Sequence, residues 1–235
     1  MVVLGGGTQA WIRAGLPVER GPWVDEAVPN QGGGPKGGDG QGETADPRGF
    51  DRVMGAIDVS GIRRWRREAA RGLHGVALEL GAGTGRNSRH IPSGVSLVAV
   101  EPDLEALRYR EAEGRDRGVA VVARGEELPF KDGTFDSALS TLVLCSVEDQ
   151  PKVAGELRRV LKPGASLSAI DHVLADNRLI ARVQRWRAPA WYRRTESCRI
   201  DRESLDVLRR AVFDVRVKAK RIGGAFVLYR ATRTA

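Results

Sequence analysis

Val76-Ala77-Leu78-Glu79-Leu80-Gly81-Ala82-Gly83-Thr84-Gly85-Arg86 decides how this chain folds. Val76, Leu78 and Leu80 are apolar and Ala77 keeps the other face small, so the first five residues read as a strand covered on both sides. Three glycines follow at alternate positions, where bare backbone lets a ligand lie directly on the main chain. The polar residues Arg86 to His90 suit the start of a helix. Strand, glycine turn and helix start together put a ligand at the carboxyl end of a strand. A tight connection that only needs small residues has the same look, so the neighbouring segments decide between the two.

Downstream, strand and helix patterns alternate, the mark of a parallel sheet with crossover helices. The pattern predicts a helix over 84–91 stopped by Pro92, a strand over 96–100, and a helix from an Asp103 N-cap to about residue 113. Strands follow over 119–123 and 135–141, then a helix over 149–161 closed by a Pro163-Gly164 turn, then a strand over 165–170. An Arg- and Trp-rich helical region over 176–191 and a helix over 201–211 capped by Asp201 precede two strands, 213–219 and 225–231. Gly223-Gly224 signals a hairpin between them, so the sheet ends antiparallel. The expected fold class is α/β: a Rossmann-like, seven-stranded, mostly parallel sheet with an antiparallel last strand and helices on both faces.

Upstream, residues 1–48 differ from the rest. Gly5-Gly6-Gly7, Gly32-Gly33-Gly34 and Gly37-Gly38 sit among Pro17, Pro22, Pro29, Pro35 and Pro47. Such composition buries too little to offset its ordering entropy, so the segment reads as a flexible leader, or as residues upstream of a native start near Met54. Trp11 and Trp23 are its only hints of docking. The domain proper then covers 49–235. Phe50 to Gly72 is expected to be helical, with Val53, Ile57, Ile62 and Trp65 as an apolar stripe broken at Gly61. Arg63, Arg64, Arg66, Arg67 and Arg71 make either a solvated basic face or part of a lid over residues 49–73.

The totals narrow the classes. The chain has 235 residues, 41% of them hydrophobic, enough for one sizeable core. Its net charge is +8, carried by 32 arginines and only six lysines, a bias that looks as much like base composition as like a binding surface. No aromatic-interleaved basic motif appears, so no specific nucleic-acid partner is expected. Cys145 and Cys198 have neither metal-ligand spacing nor a disulfide framework, which points to no metal and to a reducing, cytoplasmic setting. No stretch suits a signal peptide or a transmembrane anchor. The expected assembly is a monomer or homodimer.

The next strand ends in Val98-Ala99-Val100-Glu101, with Glu101 twenty residues after Gly81. An acidic side chain there accepts both hydroxyl protons of a ribose whose other end lies over the turn. A dinucleotide and S-adenosyl-L-methionine both fit that pair. The turn, however, is Gly-x-Gly-x-Gly, and Glu79 sits two residues before it, where a carboxylate favours a cationic ligand over a pyrophosphate.

Three ordered motifs now resemble the class I S-adenosylmethionine-dependent methyltransferases: Glu79-Leu-Gly-Ala-Gly-Thr-Gly85, Leu128-Pro-Phe-Lys-Asp-Gly-Thr-Phe-Asp136 and Leu157-Arg-Arg-Val-Leu-Lys-Pro-Gly164. The resemblance covers about residues 50–231. It implies that Glu79, Gly81, Ala82, Gly83 and Gly85 hold the methionine portion of the cofactor, that Glu101 holds the ribose, and that Pro102, Gly125 and Glu126 border the adenine. Thr141 and Leu142 would lie under the sulfonium. Many relatives carry Asp where Arg124 stands; arginine accepts no hydrogen bond, so Glu126 is the expected substitute.

Thr141-Leu-Val-Leu-Cys-Ser-Val147, Asp171-His172-Val173 and Cys198-Arg-Ile-Asp-Arg-Glu-Ser204 further resemble the small-molecule thiol methyltransferase branch, and Asn87 stands where that branch has asparagine. The implied partner is a small-molecule methyl acceptor, a thiol in this reading. A quinone- or phenol-type C- or O-acceptor, and a non-catalytic cofactor-binding module, are the alternatives. An acidic acceptor benefits from a base, and an imidazole titrates near neutral pH, so His172 is the catalytic candidate, with Asp171 orienting it or acting instead. Cys145 reads as pocket wall; Cys198 either lines the pocket or is inert. Acceptor choice is expected from Phe50–Gly72, Cys145–Asp149 and a cap over 174–200, where Trp186, Trp191 and Tyr192 either form a lid or pack on the sheet.

Overall fold

The computed structural model describes residues 2–4, 46–195 and 198–234. Apart from residues 2–4 and 46–48, the expected leader lies outside the described residues, as do Trp11 and Trp23. Strands β1 (Val2–Leu4), β2 (Val76–Leu80), β3 (Ser96–Glu101), β4 (Val119–Val122), β5 (Phe135–Thr141), β6 (Leu161–His172), β7 (Phe213–Arg221) and β8 (Phe226–Arg233) form one sheet in the order β1-β4-β3-β2-β5-β6-β8-β7. Pairs β4/β3, β3/β2, β2/β5 and β5/β6 are parallel. β8 runs antiparallel between β6 and β7, as its hairpin glycines predict. The sheet therefore has the seven expected strands and an eighth: β1 pairs antiparallel with β4, Val3 opposite Val121.

Strand order reverses between β2 and β5. The chain steps outward through β3 and β4, then returns to lay β5 on the other side of β2. Ligands in open α/β sheets bind in the crevice at such a switch point, at the carboxyl ends of the strands.

Side chains alternate across the sheet and make two cores. Leu78, Val98, Val121, Ala138 and Leu167 face helices α4 (Gln150–Val160) and α6 (Ser204–Arg210) through Val153, Leu157 and Leu208. Ala77, Leu97, Leu139, Ile170 and Leu228 face helix α2 (Arg63–Ala70) through Trp65 and Ala69. Leu107 of α3 (Leu104–Ala112) covers Ala120 and Val122 on that second face. Helix α1 (Pro47–Ile57) starts at an Asp46 cap that accepts the Arg48 and Gly49 amides. It joins α2 through a π-helical turn, Asp58–Ile62, kinked at Gly61, where φ is 107°. Helix α5 (Arg178–Thr195) is tied through Gln184 to Val173, the residue after β6.

Several local expectations change. No α-helix forms over 84–91; backbone bonds from Ser88 to Gly85 and from His90 to Asn87 span three residues and make one 3-10 turn, Ser88–His90. β6 begins at Leu161, opposite Phe135, and runs through the Pro163-Gly164 turn to His172. Helix α6 starts at Ser204, capped from Glu203 without a side-chain bond, not at Asp201. No helix among the described residues is long and apolar enough to cross a membrane.

Candidate active site

The glycine turn sits at the carboxyl end of β2, and its glycines answer different demands. All three have positive φ, between 50° and 79°. A Cβ at Gly81 would collide with Val143, and one at Gly85 would meet Arg110 Cγ at 2.7 Å. A Cβ at Gly83 would meet nothing within 4 Å. The turn is packed from behind at its ends and open at its middle, which is the shape a ligand lying on the backbone needs.

Glu101, at the end of β3, already holds that turn. Its Oε2 accepts the Gly83 amide at 2.9 Å and its Oε1 accepts the Asp103 amide at 3.2 Å. Burial pushes its carboxyl up to about 7 against those two bonds. Each oxygen keeps a lone pair free, which is what two ribose hydroxyls require. Pro102 is exposed beside it, and Ala82 is tied to the Val100 carbonyl at 3.0 Å.

Glu79 is wholly buried under the turn. Its Oε1 accepts Asn87 Nδ2 at 3.0 Å, and the buried Arg110 of α3 approaches its Oε2 at 3.4 Å. Asn87 Nδ2 also reaches Thr141 Oγ1 at 3.2 Å, and its Oδ1 accepts from Arg66 at 3.0 Å. Asn87 is thus the hub joining the ends of β2 and β5 to α2. Leu142 follows Thr141 with φ at 60°, its amide donating to the Ile170 carbonyl at 2.7 Å.

Asp51, Asp58 and Arg115, which the sequence did not single out, join Arg66 and Arg86 in fastening α1 over this turn. Asp51 Oδ1 accepts the Thr84 hydroxyl at 2.6 Å and Arg86 at 2.9 Å, and its Oδ2 accepts Arg115 at 2.8 Å. Asp58 takes Arg66 at 2.8 Å on one oxygen and Arg86 at 2.6 Å on the other. Those hydrogen bonds and charges outweigh burial and hold both carboxyls below their ordinary value. Arg66 is therefore buried and paired, while Arg63, Arg64, Arg67 and Arg71 are the solvated ones. The readable signal was Asp51 and Asp58 seven residues apart, two helical turns along one face.

Gly125 is buried against Leu80 and Val153. Glu126 is partly engaged: its Oε1 accepts the Glu148 and Asp149 amides at 3.1 and 3.4 Å, which leaves Oε2, with Arg124 3.7 Å away, as the oxygen able to accept.

Asp171 and His172 are reassigned. They are neighbours on β6, so they point to opposite faces. Asp171 is fully buried on the α4 side and accepts the Tyr229 hydroxyl at 2.6 Å, and burial pushes its carboxyl up to about 7. It does not orient His172. His172 lies on the α2 face, stacked on its cross-strand partner Phe226 with centroids 4.1 Å apart, and edge-on to Trp191 at 6.2 Å. Its Nδ1 is 3.6 Å from Cys198 Sγ. Cys198 is half-buried and its thiol falls well below the usual range, through a hydrogen bond from Cys145 first and then His172, against burial. The buried Cys145 thiol is pushed up by the same bond and by burial. Gln184 of α5 pins the cap by bonding the Val173 and Ile200 carbonyls at 2.9 and 2.8 Å and accepting the Ala175 amide at 2.8 Å. Among the described residues, no group of three or more His, Cys, Asp or Glu is placed to hold a metal ion.

With that geometry in hand, relatives are informative. Residues 78–169 match the family described as methyltransferase domain. The chain is 35% identical over 149 residues to thiol S-methyltransferase TMT1A of Homo sapiens, an alignment covering 58% of this chain and 59% of that protein. It is 33% identical over 135 residues to the ubiquinone/menaquinone biosynthesis C-methyltransferase UbiE of a Geobacter strain, covering 52% and 57%. The chain thus spans about three fifths of the length of these curated relatives. An S-adenosylmethionine-dependent methyltransferase of Thermotoga maritima shares the fold with a TM-score of 0.54 at 24% identity, over 75% of this chain and 96% of that one. A turn open at Gly83 and a carboxylate with two free lone pairs at its rim fit S-adenosyl-L-methionine, and they lie within or beside the stretch, residues 78–169, that matches the methyltransferase-domain family.

Proposed function

We propose that the protein transfers a methyl group from S-adenosylmethionine to a small-molecule thiol. One observation carries the choice of acceptor: His172, the last residue of β6, has Nδ1 engaged by Cys198 and Nε2 free of any protein partner among the described residues. The cofactor supplies an electrophilic methyl on a sulfonium sulfur. The chain's own work is to hold, orient and deprotonate.

Glu101 would take the ribose hydroxyls, and the Gly83 backbone would lie against the methionine portion. The buried Glu79 and the single 3-10 turn after the glycines speak against a pyrophosphate, which favours an α-helix N-terminus and no nearby carboxylate. Leu142 bonds Ile170 two residues before His172, so the floor of the cofactor site and the imidazole stand on adjoining strand ends. With Nδ1–H donating to the Cys198 sulfur, Nε2 is the lone pair that receives the acceptor's proton. Cys198 thereby takes the orienting role expected of Asp171. Phe226 stacked on the imidazole and Trp191 edge-on to it fix the orientation of the ring and give the acceptor an apolar flank. The fastened α1 and the pinned α5 act as the two walls of the acceptor site.

A labelled-methyl assay on a panel of alkyl and aryl thiols, phenols and quinols tests this, with products identified by mass. Thiols are expected to be methylated, and His172→Ala is expected to lower turnover by about a hundredfold at unchanged S-adenosylhomocysteine affinity. Failure with every thiol while a phenol or quinol is methylated would sink the thiol reading.

A further inference from the structure

The mechanism above uses one sulfur of two. Cys145 and Cys198 come from segments 53 residues apart in sequence, yet the Arg199 amide donates to the Cys145 carbonyl at 2.9 Å, which clamps the two backbones side by side. A hydrogen bond between the two thiols is the largest influence on the acidity of each. The pair is chemically unequal. Cys198 is half-buried at the pocket, beside the His172 ring and the Trp191 indole, while Cys145 is enclosed, with Ser146 Oγ at 3.6 Å and the buried Asp171 carboxylate nearby. One accessible sulfur held by the imidazole and one sheltered thiol make an attacking thiol and a resolving thiol.

We propose that Cys145 and Cys198 are a hydroperoxide-sensitive dithiol that closes into a disulfide and shuts the acceptor pocket. The Cys198 thiolate attacks the peroxide O–O bond; an S–O bond forms, the O–O bond breaks, and the departing oxygen leaves as water or alcohol after taking a proton. The Cys145 sulfur then attacks the Cys198 sulfenic acid; an S–S bond forms, the S–O bond breaks, and hydroxide leaves as water with the Cys145 proton. Two thiols lose two electrons and the peroxide gains them. The closed form removes the Cys198 sulfur from His172 Nδ1 and cross-links the β5 loop to the cap. That blocking consequence rests on the acceptor-site reading above; the disulfide itself does not.

The full-length chain is treated with hydrogen peroxide, mapped by non-reducing peptide mass spectrometry, and assayed before and after dithiothreitol for S-adenosylhomocysteine binding and methyl transfer. An intramolecular Cys145–Cys198 peptide is expected, reversed by dithiothreitol, with cofactor affinity kept and methyl transfer lost and regained. Cys145→Ser should leave a Cys198 sulfenic acid trapped by dimedone, and Cys198→Ser should slow thiol loss about tenfold or more. Free thiols in peroxide-treated wild type, a cross-link only between chains, or equal peroxide reactivity of the two single variants overturns the dithiol. A mapped disulfide in a chain that methylates nothing even when reduced would leave the dithiol standing and count against the methyltransferase reading alone.

Discussion

Glu101 spends two of its four lone pairs on the backbone of its own site. It therefore shapes the turn as well as meeting the ligand, and its loss removes charged hydrogen bonds of about 1.5–3 kcal/mol each. Glu101→Ala is expected to weaken S-adenosylhomocysteine binding at least about tenfold by calorimetry. The carboxyl titrates up at about 7, and only the ionised form accepts on both oxygens. Affinity should accordingly climb as pH rises through 7 in the wild type and stay flat in Glu101→Gln. An affinity independent of pH in both proteins would remove Glu101 from the ribose site. This residue was legible in the sequence because its distance from the glycine turn is set by one strand–turn–strand unit. The engagement of Glu126 Oε1 was not: the amides that occupy it belong to Glu148 and Asp149, and nothing local announces a contact across 22 residues.

At the level of elements, the clamp between α1, α2 and the glycine turn is built from carboxylates and guanidiniums with little access to water. The Asp58 side chain is fully buried and faces Arg66 and Arg86 at once. Removing one member of a buried ion pair leaves its partners uncompensated, at a cost of about 3–5 kcal/mol. Asp58→Ala is expected to lower the unfolding free energy from urea titration by that amount, and a loss under about 1 kcal/mol would show the clamp to be ornamental. Because Asp51 and Asp58 are held below the ordinary carboxylate value, their contribution is complete above that value and fades as pH falls below it. The helix α2 and its stripe of Ile62 and Trp65 were readable from periodicity, as was the break at Gly61. The 3-10 turn was not, because Arg86 to His90 has helical composition, and only tertiary demands on Asn87 override it. The split of Asp171 from His172 was hidden for a related reason. A strand ending at residue 170 imposes no alternation on the next two residues, whereas β6 runs to His172 and does.

Across the whole molecule, the alternating strand and helix pattern carried nearly all of the sheet, including the reversed last strand. It missed β1, since three residues ahead of a glycine-rich segment give no periodicity to read. That short strand has a partner at the opposite margin. β4 is covered by β1, and β7 ends the other side of the sheet with Arg216, Lys218 and Lys220 exposed and its pairing shifted between Val217 and Ala219. A bare sheet margin invites another chain to add a strand, and lysines with a bulge discourage it. Two of the six lysines in an otherwise arginine-dominated chain stand on this one strand. Lys218→Val with Lys220→Val should raise light scattering on concentration or mild heating while leaving cofactor affinity intact; unchanged scattering would deny β7 a protective role. A strand at the sheet's margin, outside the chemistry, would then govern how much of the protein stays in solution to perform it.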